Sequence, residues 1–103
     1  MNEITIPFNA WSIERLNAGR KCATSRNKVY GRVGDVFKPD NGKSYKIEYI
    51  ISLALGVVRD YLYLIEGANS PEEFEEVWTS IHPKKGFDKE QLVWVHFFKE
   101  VKE

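Results

Sequence analysis

Residues 9–26 read NAWSIERLNAGRKCATSR, and this stretch carries the signals that decide the N-terminal part of the fold. Asn9 can cap a helix over residues 10–18, because its side chain accepts a hydrogen bond from the free N–H groups of a first helical turn. Gly19 follows at the position where a helix commonly ends in a left-handed residue. Residues 21–26 then predict a short strand or an extended turn.

Cationic side chains and small side chains with nucleophilic atoms stand together after Gly19. A lysine beside a hydroxyl can be the base that activates it, if burial or neighbouring cations lower the pKa of the lysine. An ideal strand directs Lys21 and Thr24 to opposite faces, so they converge only if Lys21 lies in the turn or a bulge intervenes. The alternative is a positively charged surface turn in which Thr24 is present for its strand propensity. The cations are Arg20, Lys21 and Arg26, and the small side chains are Cys22, Thr24 and Ser25.

The middle of the chain predicts a hairpin followed by a helix. Residues 33–38 and 45–55 predict strands on either side of Asn41-Gly42, and Asn-Gly is a strong hairpin signal. Helical spacing then returns after Gly56, and Gly67 can end that helix. The apolar residues at this spacing are Val58, Leu62 and Ile65.

The C-terminal part predicts a capped helix and a last strand. Ser70-Pro71-Glu72-Glu73 has the pattern of a capping box with proline at the first helical position. One apolar stripe follows, and Pro83 ends the helix. Residues 92–98 predict an apolar strand. This mixed order of elements indicates an α+β domain. Because so few residues cannot cover two faces of an open sheet, we expect a small, partly closed β-barrel with surrounding helices, in one domain over residues 1–103.

The composition excludes several classes of protein. The 103 residues are 43% hydrophobic and 29% charged, which is typical of a globular domain rather than a disordered or collagen-like chain. One cysteine excludes an internal disulfide framework, and two histidines argue against a structural zinc site. No apolar run approaches the roughly 20 residues of a membrane span, and residues 1–8 do not have the pattern of a signal peptide. We therefore expect a cytoplasmic protein without a metal, a cofactor or a membrane partner.

The charge is balanced overall but unevenly distributed. Fifteen basic residues match fifteen acidic ones, which argues against a general electrostatic nucleic-acid binder. Residues 15–32 nevertheless contain six basic residues and no acidic one, and residues 60–76 contain six acidic residues and no basic one. This separation permits a local anion-binding face, and two solvated surfaces are the alternative.

Several spaced elements together resemble the ASCH domain (activating signal cointegrator homology), a relative of the PUA-like fold. The pattern Gly-x-Lys-x-x-Thr-x-Arg occurs at residues 19–26, and Gly34-Asp35 precedes a strand. Glu66-Gly67, the capped helix and His82-Pro83 follow in the order that the family shows. The resemblance spans residues 4–98 and implies a small β-barrel with helices packed around it.

The resemblance also implies candidate functions. Some small bacterial members are N4-acetylcytidine amidohydrolases, and others are inferred to bind RNA. On the amidohydrolase pattern, Lys21 is the base, Thr24 the nucleophile and Glu66 the acid that protonates the departing amine. Glu72 and Glu73 compete with Glu66, although capping explains Glu73. Cys22 is an alternative nucleophile beside the lysine.

Recognition of a nucleoside or RNA requires stacking surfaces and hydrogen-bond donors. We expect Trp11 and Tyr30 to contact the base, and Arg20 and Arg26 to hold a phosphate or a carbonyl oxygen. The alternative function is a non-catalytic RNA-binding module, or a ribonuclease, that uses this cationic cleft. Four further aromatic or imidazole side chains are assigned to the core or to helix ends: Phe8, Trp78, His82 and His96.

Overall fold

The computed structural model describes residues 2–102, which form a mixed α+β structure. The strands are β1 (Glu3–Ile4), β2 (Ala23–Arg26), β3 (Val36–Phe37), β4 (Ser44–Ala54) and β5 (Leu92–Val101). The helices are α1 (Ala10–Asn17), α2 (Leu55–Tyr61) and α3 (Pro71–Ile81). The predicted α+β class is confirmed.

The strands form one sheet in the order β1-β3-β4-β5-β2. β1 pairs with β3 in parallel, and the other neighbouring pairs are antiparallel. The long β4–β5 pair carries a register shift between Ile47 and Tyr49, which bends the sheet locally. β1 and β2 are the two edge strands of the sheet, and within residues 2–102 they do not pair with each other. The sheet is therefore open, where we expected a partly closed barrel. The edge left free beside β2 is where the candidate site lies.

The buried apolar side chains form two clusters on opposite faces of β5. Val93 and Val95 belong to a cluster that includes residues of α2 and α3. Phe98 points the other way and packs in a second cluster with Phe37. Because successive residues of a strand alternate between faces, one apolar strand supplies both clusters. This double role explains why residues 92–98 are almost continuously apolar.

The predicted helix and turn signals are confirmed where they are local. The Asn9 side chain accepts a hydrogen bond from the N–H of Ser12 at 2.8 Å, and Ser70 Oγ accepts one from the N–H of Glu73 at 3.0 Å. Gly19 follows α1 with φ +72°, and Gly42 has φ +76° in the hairpin between β3 and β4. Each of these caps and turns depends only on residues that are close to it in sequence.

Two predicted elements are shorter than expected. β3 covers Val36–Phe37 instead of residues 33–38, because residues 32–35 form a turn in which Asp35 Oδ2 accepts from the N–H of Arg32 at 2.8 Å. α2 ends at Tyr61 rather than near Gly67. The chain beyond it tightens into turns, with the N–H of Gly67 donating to Leu64 O at 3.0 Å. These turns bring Glu66 to the start of β2.

Candidate active site at the edge of strand β2

A cavity of about 550 Å³ opens beside the free edge of β2. Its wall is formed by the entry and first turn of α1, by β2 and the loop after it, by Glu66, and by one face of α3. Both faces of β2 contribute, because a strand at the edge of a sheet has no neighbour beyond it. Its polar lining includes Lys21, Thr24, Ser25, Arg26 and Glu66.

Lys21 and Glu66 form a buried ion pair in the cavity wall. Lys21 Nζ lies 3.2 Å from Glu66 Oε1 and donates to the Glu66 backbone oxygen at 2.8 Å. The residues are only 6% and 3% exposed. Ser25 Oγ donates to the other carboxylate oxygen, Oε2, at 2.6 Å. The structure therefore joins three polar side chains in one hydrogen-bonded group.

Burial lowers the pKa of Lys21 below its ordinary value of 10.5. The Glu66 carboxylate opposes this effect, because its charge and hydrogen bond favour the ammonium form. Arg26 adds to the lowering through repulsion between the two cations. A lysine in this environment releases its proton more readily than an exposed one, as a general base requires.

Backbone contacts hold Glu66 against the start of β2. The carbonyl oxygen of Ile65 accepts from the N–H groups of Cys22 and Ala23, at 2.8 and 3.1 Å. Gly67 has φ +104°, and a Cβ atom built there would lie 2.8 Å from the Cγ atom of Arg15 and 3.4 Å from the Cβ atom of Lys21. A glycine at this position lets the segment approach α1 and Lys21 closely. This contact explains the Glu66-Gly67 pair seen in the sequence.

Thr24 lies on the other face of β2 from Ser25 and is paired with Arg26. Its Oγ1 atom accepts a hydrogen bond from Arg26 Nε at 3.1 Å. No hydrogen bond donated by the Thr24 hydroxyl is found within residues 2–102, so its proton is free for a base in the cavity. Lys21 lies outside β2, before its first residue, and no hydrogen bond joins Lys21 to Thr24 within residues 2–102, so their convergence stays a prediction.

Aromatic side chains surround the polar group. Trp11 lines the cavity, and the Arg15 guanidinium lies 4.3 Å from the centre of its ring. Tyr30 lines it from the loop after β2, and the Arg26 guanidinium carbon lies 5.8 Å from the centre of the tyrosine ring. Phe8 and Trp78 also face the cavity, although both pack in the core as expected. The walls therefore offer several ring faces to a planar ligand.

Other predicted residues lie away from the cavity. Arg20 is exposed and hydrogen bonds to the Gly67 backbone oxygen and to Asn69, and its binding role stays a prediction. Cys22 is exposed and does not line this cavity, and partial burial of its thiol raises the pKa of the thiol. Glu73 contacts Arg15 at 3.2 Å, and Glu72 is exposed near Arg59. Among the three candidate acids Glu66, Glu72 and Glu73, only Glu66 lines the cavity.

His96 is buried beneath the site in a structural position. Its Nε2 atom accepts from the N–H of Tyr30 at 2.9 Å, and its Nδ1 atom lies 3.0 Å from the carbonyl oxygen of Trp94 and 3.3 Å from that of Thr24. This set of partners suits a neutral ring that donates from Nδ1. Burial lowers the pKa of His96 below its ordinary 6.5. The imidazole thus connects β2, β5 and the loop that carries Tyr30.

The His96 pKa predicts a loss of stability in acid. The unfolded chain protonates His96 at higher pH than the folded chain, so the unfolding free energy is complete above about pH 6.5 and decreases below it. The decrease is at most about 1.4 kcal/mol per pH unit for one proton. Urea unfolding at about pH 7.5 and pH 5 measures it for wild type and for His96→Gln, which should have a shallower slope. An NMR titration of the His96 ring with a midpoint at or above 6.5 contradicts the assignment.

Sequence reasoning missed the role of Ser25 in the site. Strand alternation places Ser25 opposite Thr24, and that argument directs attention to only one of the two hydroxyls. Because β2 is an edge strand, both side chains border the same cavity. Trp78 was assigned to the core alone, yet it lines the cavity too. A stripe of apolar residues in a sequence does not distinguish these two environments.

Neither metal-ligand clusters nor membrane-spanning helices are found in residues 2–102. No three His, Cys, Asp or Glu side chains of this part of the chain are grouped so that they could hold a metal ion. None of its helices is long and apolar enough to cross a membrane.

Solved structures share this arrangement of strands and helices. An ASCH domain from Lactobacillus crispatus JV V101 aligns with a TM-score of 0.73 and 13% identity, over 96% of this chain and 79% of that one. The chain has the fold of an ASCH domain. The hypothetical protein PH0355 aligns with a TM-score of 0.70 and 17% identity, over 98% of this chain and 100% of that one.

A third structure extends the comparison. A protein of Enterococcus faecalis V583 from the family DUF984 aligns with a TM-score of 0.62 and 18% identity, over 97% of this chain and 75% of that one. No family model matches the sequence, and no curated protein does either. The ASCH resemblance is therefore confirmed for the fold, and the activity has to be argued from the site.

Proposed function

We propose that the protein is an amidohydrolase that removes the acetyl group from the exocyclic nitrogen of N4-acetylcytidine or a related acylated nucleoside. The observation that carries the proposal is the buried Lys21–Glu66 pair in the wall of a cavity that also contains the Thr24 hydroxyl. Removing two charges from water is costly, so a buried ionisable pair in a cleft marks a candidate functional site. The ASCH fold and the Lys-x-x-Thr-x-Arg spacing support the same activity.

The first step is attack by Thr24 on the acetyl carbonyl. Lys21 in its neutral form takes the hydroxyl proton, and burial favours that form by lowering the lysine pKa. The hydrogen bond from Arg26 Nε holds the threonine oxygen in place without using its proton. The step ends with a tetrahedral intermediate and a protonated Lys21.

The second step expels the cytosine amine. Glu66 supplies the proton that the leaving nitrogen needs, and the negative oxygen of the intermediate is stabilised by the Arg26 guanidinium. No carboxylate lies within 4.0 Å of the Arg26 nitrogens in residues 2–102, so this cation is available to a ligand. Water then hydrolyses the threonine ester and releases acetate.

The aromatic walls favour a planar substrate. Tyr30 and Trp11 provide ring faces on which a cytosine can stack, as nucleobases commonly do on aromatic side chains. Two cations lie near the Tyr30 ring: the guanidinium carbon of Arg26 is 5.8 Å from the ring centre, and Lys28 Nζ is 5.0 Å from it. Acceptor atoms on the sugar or the base are suitable partners for these cations.

A non-catalytic RNA-binding module, or a ribonuclease, is the competing function. It would use Arg20, Lys21, Arg26, Lys28 and Arg32 on backbone phosphates. The site favours this function less, because Lys21 is buried and already paired with Glu66. An exposed lysine would suit a phosphate contact better.

Acetate release from N4-acetylcytidine tests the proposal. We expect turnover by wild type and a loss of about 10²-fold or more in kcat for Lys21→Ala, the usual range for removal of a general base. Lys46→Ala is the matched control, because it removes an exposed cation of β4 that does not line the cavity. A wild-type protein that is folded but releases no acetate contradicts the amidohydrolase. Salt-sensitive RNA binding would then support the competing function.

A further inference from the structure

The Glu66 carboxyl group is enclosed by its protein partners. Oε1 is occupied by Lys21 Nζ at 3.2 Å, and Oε2 by Ser25 Oγ at 2.6 Å. Within residues 2–102 these are the hydrogen-bond partners of the two oxygens, and the residue is 3% exposed. A substrate atom in the cavity therefore reaches a proton of Glu66 through Lys21 or through Ser25.

Lys21 has no free position through which a proton of Glu66 could pass to a substrate. Two of its hydrogen-bonding positions point to the backbone oxygen and Oε1 of Glu66, and the remaining one serves the Thr24 proton in the proposed mechanism. The Ser25 hydroxyl is the other connection between Glu66 and the cavity, which Ser25 also lines. A hydroxyl both accepts and donates, so it can take one proton while it gives another.

We propose that Ser25 is a catalytic residue that relays the proton of Glu66 to the leaving nitrogen. The proposal rests on the amidohydrolase function and adds a residue to it. Ser25 lies on the opposite face of β2 from Thr24, which places the hydroxyl that attacks and the hydroxyl that protonates on different sides of the strand. Both hydroxyls border the same cavity, so one can face the carbonyl carbon of a bound amide while the other faces its nitrogen.

The proton transfers balance over the acylation step. The reactive form is the neutral tautomer of the observed ion pair, in which one proton has moved from Lys21 to Glu66. In this form Lys21 is neutral, and Glu66 holds a proton on Oε2 that it donates to Ser25 Oγ. As the bond between the acetyl carbon and nitrogen breaks, the nitrogen takes the Ser25 hydroxyl proton and Ser25 takes the proton of Oε2. Glu66 becomes a carboxylate, and Lys21 has gained the Thr24 proton. The result is an acetyl-threonine and the ion pair, with no net change in charge.

Deacylation runs the same transfers in reverse. Water attacks the acetyl-threonine and gives a proton to Ser25, which passes its own proton to Glu66 Oε2. Lys21 returns its extra proton to Thr24 Oγ1 as the ester bond breaks. Acetic acid leaves, and both members of the pair recover their starting forms. The 2.6 Å separation of Ser25 Oγ and Oε2 suits a hydrogen bond that reverses its direction in each half of the cycle.

The test compares substrates that need a proton donor with substrates that do not. For Ser25→Ala we expect kcat on N4-acetylcytidine to decrease by about 10²–10³-fold with little change in KM, as loss of general-acid catalysis predicts. On 4-nitrophenyl acetate, whose leaving group departs as an anion, the rate of the initial burst of 4-nitrophenolate should decrease less than about threefold, because acylation by this ester needs no proton from Ser25, whereas the later deacylation should slow. Ser25→Thr keeps the hydroxyl and should recover most of the amide activity.

The outcomes separate the relay from the function on which it rests. Equal losses in kcat for the amide and in the burst rate for the ester contradict the relay and indicate a structural role for Ser25. Undiminished amide turnover by Ser25→Ala also overturns the relay, while the amidohydrolase stands. If wild type releases no acetate from N4-acetylcytidine, the function itself fails and the relay fails with it. Thermal unfolding of each variant checks that the comparison is between folded proteins.

Discussion

Replacement of Glu66 by leucine is expected to lower the unfolding free energy by about 3–5 kcal/mol near pH 7, the usual cost of removing one partner from a buried ion pair. Lys21 would be left in an apolar site with only the backbone oxygen of residue 66 as an acceptor. The ammonium could then stay buried without its counter-charge or lose its proton, and both cost free energy. Urea denaturation at constant ionic strength measures the change.

The double variant Lys21→Met, Glu66→Leu is the control for this prediction. It removes both charges together, so its stability should lie close to that of wild type, as replacement of buried pairs by apolar residues commonly shows. The loss in Glu66→Leu alone should also shrink as the pH rises towards 10.5, because the unfolded chain then gives up the Lys21 proton as well. A single variant as stable as wild type at every pH would contradict a buried, paired Lys21.

Local signals in the sequence predicted much of the fold. The caps at Asn9 and Ser70, the hairpin at Asn41-Gly42 and the end of α1 at Gly19 each depend on a few neighbouring residues, and all four are confirmed. The opening of the sheet could not be predicted in this way. It depends on whether the two edge strands, β1 and β2, pair with each other. β1 has only two residues, so its sequence pattern does not predict which strand it pairs with.

The site was predicted in part for a related reason. Lys21 could be predicted as a site residue because the cationic and nucleophilic side chains after Gly19 are neighbours in sequence. Glu66 lies 45 positions from Lys21, so no local pattern joins the two. Three glutamates follow within a few residues of one another, and only the turns after α2 decide which one faces β2. The position of Ser25 in the cavity wall could be predicted only by knowing that β2 is an edge strand. Contacts of this kind come from tertiary structure, which spacing does not encode.

Replacement of Thr24 by valine is expected to have the largest effect on rate. Valine has nearly the shape of threonine but lacks the nucleophilic oxygen, so acetate release from N4-acetylcytidine should decrease by at least about 10⁴-fold. The stability cost should be only about 1 kcal/mol, because Arg26 Nε loses one acceptor. Thr24→Ser keeps a hydroxyl on the same strand position and should remain within about tenfold of wild type.

The acetylated residue provides a second measurement of the same prediction. If Thr24 is the nucleophile, acid quenching during turnover of 4-nitrophenyl acetate should trap one acetyl group on the peptide that contains it, and Thr24→Val should trap none. An acetyl group found on Ser25 would reverse the roles of the two hydroxyls, and one on the exposed Cys22 would place the reaction outside the cavity. Because Thr24 and Ser25 are adjacent, the mass spectrum must contain peptide fragments cleaved between them, so that an acetyl group on one is distinguished from an acetyl group on the other. The site of acetylation then decides which face of β2 carries the attack, since alternate residues of the strand point to opposite faces.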